Sequence, residues 1–378
     1  MADRKFKLPD YEELTKDQDK VLRLPKDGQF LIVGGPGTGK SVVALLRTIR
    51  YQQGNDHLFL AYNHVLKEFT SQYVESKINN NTAKSWFYKT YYNFTKEYVP
   101  QLEAYKPDYD KIIQVYEELS SNKIKEIYFV VDEGQDLPQG YYESILALGY
   151  ENFFIVADQN QQITDERSSL QELTDMLGLD SSDVIELKEN FRNTTPIAVF
   201  SQYFYADKAS PKPILPQKPS LSTPVLYEYK MVDNCVKMVL READRDPGKL
   251  IGLIVATDTK RDDYVRRLKT MEIERDYDKP LVSSYKSADK NSVEIDFSQG
   301  GIVVITDKSS KGIEFDIVFI VLDGLKPYQG DITGMKKRLY VMASRAREKL
   351  VLFKGISCDQ TVGNLMPEDE TILKKDTL

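Results

Sequence analysis

Two short segments of this 378-residue chain carry the residue types that phosphate chemistry needs. In LIVGGPGTGKS (31–41), the apolar run Leu31, Ile32 and Val33 leads into Gly34, Gly35, Pro36, Gly37, Thr38, Gly39, Lys40 and Ser41. A helical pattern starts at once through Val42, Val43, Leu45, Leu46 and Ile49. Glycines let backbone N–H groups turn inward around phosphates, which then sit on a helix N-terminus. Lys40 would reach the β- and γ-oxygens, and the Ser41 hydroxyl would hold Mg²⁺. Downstream, IYFVVDEGQD (127–136) reads as a buried strand ending in two carboxylates. Asp132 is placed to hold Mg²⁺ through water, and Glu133 to activate an attacking water. An acidic loop after a strand is the plain alternative, and the phosphate loop upstream argues against it. The chain is expected to bind a nucleoside triphosphate.

Further groups suit the same chemistry. Gln161 follows another apolar run (IVADQNQ) and could bond a γ-phosphate and report its presence. In LKENFRN, Arg192 can stabilise charge on a transferring phosphoryl group, and Phe191 beside it can stack on a base. Late in the chain, KGIEFD (311–316) and LYVMASRA (339–346) bring a second arginine, Arg345. An arginine from a different domain would let nucleotide close a cleft between the two.

These groups need a frame. Strand-like runs at 30–33, 57–61, 127–131, 153–157 and 183–187 alternate with helical stretches, the rhythm of a parallel sheet. A tyrosine-rich, helical stretch near 87–125 reads as an insertion. Residues 206–224 hold five prolines without periodicity and read as a linker. The rhythm resumes at 225–229, 250–256, 301–306, 317–322 and 349–353, with a helix near 232–245 whose apolar face is Val232, Cys235, Val236, Val239 and Leu240. The expected organisation is a first α/β domain over 1–205, the linker, and a second over 225–378.

Bulk properties narrow the class. A net charge of −7 gives no global basic surface, though a motor can keep cations in a local groove. Cys235 and Cys358 lie far apart, and His57 and His64 complete no zinc pattern. A reducing cytoplasm is therefore the expected setting. The first residues, MADRKFKLPDYEEL, contain no apolar signal core, and no apolar run is long enough to span a bilayer, so no membrane role is expected.

Taken in order, TKDQDKVL, GGPGTGKS, AYNHVLKEF, TAKSWF, VVDEGQD, ADQNQ, LKENFRN, KGIEFD and LYVMASRA resemble the motifs of superfamily 1 helicases, most closely the UvrD/Rep branch. The resemblance spans nearly the whole chain and implies two tandem RecA-like domains with ATP and Mg²⁺ at their interface. It implies that Gln18 reads the adenine edge, Phe191 stacks on the base and Glu314 contacts the ribose. Arg192 and Arg345 would be arginine fingers from opposite sides of the ATP. Asn63, Ser85, Trp86 and Thr306 would lie along a single-strand track. For Trp86, a place in the core is the competing reading, and for the arginines, surface ion pairs.

The chain departs from that family in three places. After ADQNQ it reads QITDER (162–167), without the aromatic pair that stacks on bases in the UvrD/Rep pattern. Ala157 and Lys308 replace a usual glycine and histidine. The insertions are also short. The expected function is an ATP-dependent single-stranded DNA translocase or helicase, with KGIEFD favouring 3′→5′ movement. The alternative is a nucleotide-gated ATPase subunit regulating a partner such as a nuclease in DNA repair or phage defence. A phosphotransferase or GTPase would leave KGIEFD and the SRA segment without a purpose.

Overall fold

The computed structural model describes residues 8–52, 56–74, 78–104, 106–119, 126–162, 167–206, 212–285 and 295–378. In chain order the first unit contains α1 (Lys16–Leu22), β1 (Gln29–Gly34), α2 (Lys40–Tyr51), β2 (His57–Ala61), α3 (His64–Tyr73), β3 (Asn80–Thr82) and α4 (Ala83–Thr95). It continues through β4 (Gln101–Glu103), β5 (Lys106–Pro107), α5 (Tyr109–Leu119), β6 (Tyr128–Val131), α6 (Gln139–Ala147), β7 (Asn152–Ala157), α7 (Leu170–Met176), β8 (Val184–Leu187) and α8 (Thr195–Tyr203). The second unit contains β9 (Val225–Tyr229), α9 (Val232–Arg245), β10 (Leu250–Val255), α10 (Asp258–Thr270), β11 (Val282–Ser284) and β12 (Gly301–Thr306). After these come β13 (Phe315–Val321), α11 (Ile332–Ala343), β14 (Ala346–Gly355), α12 (Gln360–Asn364) and β15 (Lys374–Thr377).

Two parallel sheets result, with orders β3-β2-β6-β7-β1-β8 and β11-β12-β10-β13-β14-β9-β15, so the chain is α/β with two RecA-like sheets. The central strands β10 and β13 are apolar apart from Asp316 because helices cover both faces, and every residue of both is buried. Each buried Val, Leu, Ile or Phe side chain contributes roughly 1.5–3 kcal/mol of burial free energy. Open parallel sheets gather their functional loops beyond the carboxyl ends of the strands. Here β6, β7, β1 and β8 are successive neighbours, so the segments after them, holding Glu133, Gln161, Lys40 and Arg192, are brought side by side. The second sheet meets them with the amino ends of β13 and β14, which follow Glu314 and Arg345 directly.

The units pack closely. Phe69 and Phe297 meet edge to face with centroids 5.3 Å apart, and Gln72 bonds the Ile295 carbonyl and the Phe297 N–H. Gly312 has φ +83°, and a Cβ there would stand 2.7 Å from the Leu66 side chain of the first unit, so a larger residue would strain the backbone and displace that side chain.

Two expectations change. The tyrosine-rich stretch is not a peripheral insertion: Phe87, Tyr91, Ile112 and Tyr116 are buried in one core with Phe129 and Phe153. It is also not wholly helical, since the antiparallel pair β4–β5 separates α4 from α5. The short strands β3, β11 and β15 and the pair β4–β5 were not expected from the sequence. The departing segment after Gln162 falls at 163–166, outside the described residues. Among the described residues no helix is long and apolar enough to cross a membrane.

Candidate functional site

The phosphate loop is held by close contacts that only glycine permits. Gly37 (φ +78°) and Gly39 (φ +85°) adopt the left-handed conformation. A Cβ on Gly37 would lie 2.2 Å from Asn190 Oδ1, and one on Gly39 would lie 2.3 Å from Gln18 Nε2. Gly34 is crowded by the Leu187 carbonyl and Thr38 Oγ1, and Gly35 by the Pro213 ring of the proline-rich segment. Thr38 Oγ1 donates to the Gly35 carbonyl at 2.9 Å. Lys40 Nζ donates to the carbonyls of Gly34 (2.7 Å) and Gly35 (2.9 Å). Its burial lowers the ammonium pKa, opposed by the carboxylates of Asp158 and Glu133.

Asp132 and Glu133 follow β6 and are both buried. Asp132 Oδ1 accepts from the Glu133 N–H, whereas Oδ2 is buried without a hydrogen-bond partner. Burial and the Glu133 charge push the Asp132 carboxyl up to about 7, against the pull of the Ser41 hydroxyl and Lys40. An orphan carboxylate oxygen near a hydroxyl fits a divalent cation, which would stabilise the charged form. Among the described residues no group of three or more His, Cys, Asp or Glu could hold a metal ion. Glu133 has φ +58° and ψ +43°, a strained conformation for a residue with a side chain. Burial alone would raise its carboxyl, but Lys311, Lys40 and Arg345 outweigh burial and hold it near 2. Gln135 Nε2 fixes one of its oxygens at 2.7 Å.

The second unit reaches across at several points. Gln161 Nε2 donates to Asp158 Oδ2 at 2.8 Å, and Gln161 Oε1 accepts from Arg345 Nη2 at 2.6 Å. The fully buried Arg345 also donates from Nε to the Val341 carbonyl. Arg192 Nη2 pairs with Glu314 Oε1 at 2.6 Å. Burial would raise Glu314, but Arg192 and then Arg347 hold it near 2. Asn193 donates to the carbonyls of Ser344 (3.1 Å) and Ala346 (2.5 Å).

Sequence reasoning assigned Lys311 no role, although it heads KGIEFD. It is completely buried, pairs with Asp136, donates to the Gln161 carbonyl and lies 3.5 Å from Glu133 Oε2. Asn193 and Asp158 were missed too; the only signal for any of the three was its place inside a quoted motif.

These groups surround a cavity of about 270 Å³. Gln18, Pro36, Gly37, Gly39, Lys40, Ser41, Glu133, Gln161, Phe191, Arg192, Glu314 and Arg345 line it; Gly34, Gly35, Thr38 and Asp132 do not. Phe191 is half exposed at the edge of the cavity. Gln18 Oε1 accepts from the Thr15 N–H and its Nε2 donates to the Thr38 carbonyl. Glu314, expected at the ribose, is engaged by Arg192 and lies 3.9 Å from Arg347. A larger hollow of about 420 Å³ between Lys237, Arg241 and Glu272 shares no residue with this cavity.

The expected strand-track residues lie on different elements. Asn63 caps α3 through Oδ1, and its Nδ2 is buried without a partner. Ser85 and Trp86 sit in the first turn of α4, where Thr82 Oγ1 accepts from the Ser85 N–H. Trp86 is partly buried with its ring edge-on to Phe129 at 5.0 Å, so one side of it belongs to the core. Thr306 ends β12 and bonds Ser309 Oγ at 3.1 Å.

A family model described as Schlafen group 3, DNA/RNA helicase domain, matches residues 28–324, and one for the UvrD-like helicase C-terminal domain matches 301–353. No curated protein matches. Among solved structures the chain is similar to the C-terminal domain of a possible DNA helicase from Lactobacillus plantarum WCFS1, at 16% identity over 49% of this chain and 98% of that one, with a TM-score of 0.34. The first model covers well over half of the chain and the second restates the superfamily 1 likeness of its late motifs, so this chain belongs to the Schlafen group 3 DNA/RNA helicase domain family.

Proposed function

We propose that the chain is an ATP-driven motor that translocates along single-stranded DNA in the 3′→5′ direction. The observation that carries this reading is that both sheets supply charged groups to one cavity, so that the geometry of hydrolysis depends on how the units sit together. DNA rather than RNA, and the direction, rest on the superfamily 1 likeness. The mechanical units are taken as 1–205 and 225–378, joined by 206–224.

In this reading Lys40 exchanges its bonds to the Gly34 and Gly35 carbonyls for β- and γ-phosphate oxygens. Ser41 and Asp132 would hold Mg²⁺, which would supply positive charge to the phosphates. Glu133, ionised and fixed by Gln135, orients a water and accepts its proton. Gln161 senses the γ-phosphate and passes its position to Arg345. Arg192 and Arg345 stabilise charge as the bond to the leaving group breaks. Phe191 and Gln18 hold the base. The strand runs past Asn63, Ser85, Trp86 and Thr306, so a change in the angle between units would move one grip relative to the other.

The test is a displacement assay in which streptavidin is bound to one end or the other of a single strand. ATP-dependent release from the 5′ end alone is expected for 3′→5′ movement; release from neither end removes translocation from the reading.

A further inference from the structure

The outer face of α4 carries an unusual surface for a chain of net charge −7. The segment AKSWFYKTYYNFT contains Lys84 and Lys89 and no acidic residue, and Glu97 is the one carboxylate between Ala83 and Tyr98. Its inner face, Ala83, Phe87 and Tyr91, is buried at helical spacing. Opposite that face, Ser85, Lys89, Tyr92 and Lys96 follow at i, i+4, i+7 and i+11, with Lys96 as the C-cap. Tyr92 is 48% exposed and Tyr98 89% exposed, and their rings lie against each other with centroids 6.0 Å apart. An exposed ring pair costs solvation without adding to a core, and cations interleaved with such rings match a polyanion with stackable bases.

The row also starts at the right place. Ser85 lies in the first turn of α4, on the strand track of the proposed motor, and 11 residues of helix carry the row about 16 Å onward from there.

We propose that Lys89, Tyr92, Lys96 and Tyr98 form a second single-strand contact that continues the track along α4, with Tyr92 and Tyr98 stacking on bases and the lysines meeting phosphates. This rests on the single-strand reading above. It places base stacking on this helix, in a chain whose 162–167 segment has no aromatic residue.

The test measures binding of the full chain to labelled oligothymidine by fluorescence anisotropy, with a strand of about 20 nucleotides and one of about 6. Unaltered chain, Tyr92→Ala/Tyr98→Ala, and Tyr277→Ala as an exposed control are compared. Both altered tyrosines are exposed, so melting temperature and basal ATPase are expected to stay as in the unaltered chain. The double variant is expected to lose about tenfold or more in affinity for the long strand, to bind the short strand unchanged, and to differ from Tyr277→Ala. Equal long-strand binding by all three proteins overturns the proposal and leaves the motor reading standing. If the unaltered chain binds no strand of either length, the motor reading fails and the proposal with it.

Discussion

Arg345 donates from Nη2 to Gln161 Oε1 at 2.6 Å, joining residues 184 positions apart and two different sheets. The amide is itself held by Asp158, whose carboxylate also pulls on Lys40 of the phosphate loop. Two hydrogen bonds and one electrostatic attraction therefore link the phosphate loop to the second unit. In the proposed motor that link is the route by which the state of the γ-phosphate would bias the angle between sheets.

Arg345→Ala is expected to lower kcat for ATP by about 10³-fold or more while changing nucleotide affinity little, because the guanidinium acts on charge that develops during transfer. Arg345→Lys should recover only part of the loss, since an ammonium cannot serve Gln161 and Val341 with one rigid fork. Steady-state kinetics and equilibrium binding of a fluorescent ATP analogue separate the two effects. Near-normal turnover would place Arg345 outside the chemistry.

Glu133→Gln is expected to retain ATP binding and to hydrolyse about 10²–10⁴-fold more slowly. The substitution keeps size and shape but removes the group held ionised by Lys311 and Lys40. Single-turnover rates check this, and an unchanged rate would exclude Glu133 as the base.

Lys311→Met is expected to destabilise the fold by about 3–5 kcal/mol, because the Asp136 and Glu133 carboxylates would stay buried without their cation. Adding Asp136→Asn should restore part of that loss, which independent effects would not do. Chemical denaturation of the four proteins in the cycle gives the coupling.

Glu314 gives a pH dependence with a definite sign. Its carboxyl lies near 2 in the folded chain and at about 4.5 in the unfolded one. The folded state therefore binds fewer protons between those values, and stability from the Arg192 pair is full above pH 4.5 and lost as pH falls toward 2. Thermal melts from pH 7 to pH 3 should show a smaller acid loss for Glu314→Gln than for the unaltered chain. Parallel losses would mean that the pair adds nothing.

Much of this arrangement was legible because parallel strands buried on both faces leave continuous apolar runs; those at His57–Ala61 and Gly301–Thr306 fall on observed strands to the residue, as does the half-exposed run Val225–Tyr229. The short strands were not legible. Asn80–Thr82 and Lys374–Thr377 are polar and each pairs on one side only, so nothing in their composition separates them from loops. The phosphate loop could be read because its chemistry is local. Lys311 could not, since its partner Asp136 is 175 positions away and only the packing of two units brings them together. The Arg192–Glu314 pair was hidden for the same reason: each residue had a nucleotide role in the sequence reading, and neither spacing nor motif showed that they meet.

The most direct test of a nucleotide site built from both units and driven by a single strand is steady-state ATPase of the unaltered chain. It is run beside Arg345→Ala, each with no nucleic acid, single-stranded DNA, duplex DNA and RNA. The account predicts strong stimulation by single-stranded DNA in the unaltered chain and little turnover in the variant under every condition. A low rate indifferent to all nucleic acids would contradict the motor and point to an ATPase subunit gated by a protein partner.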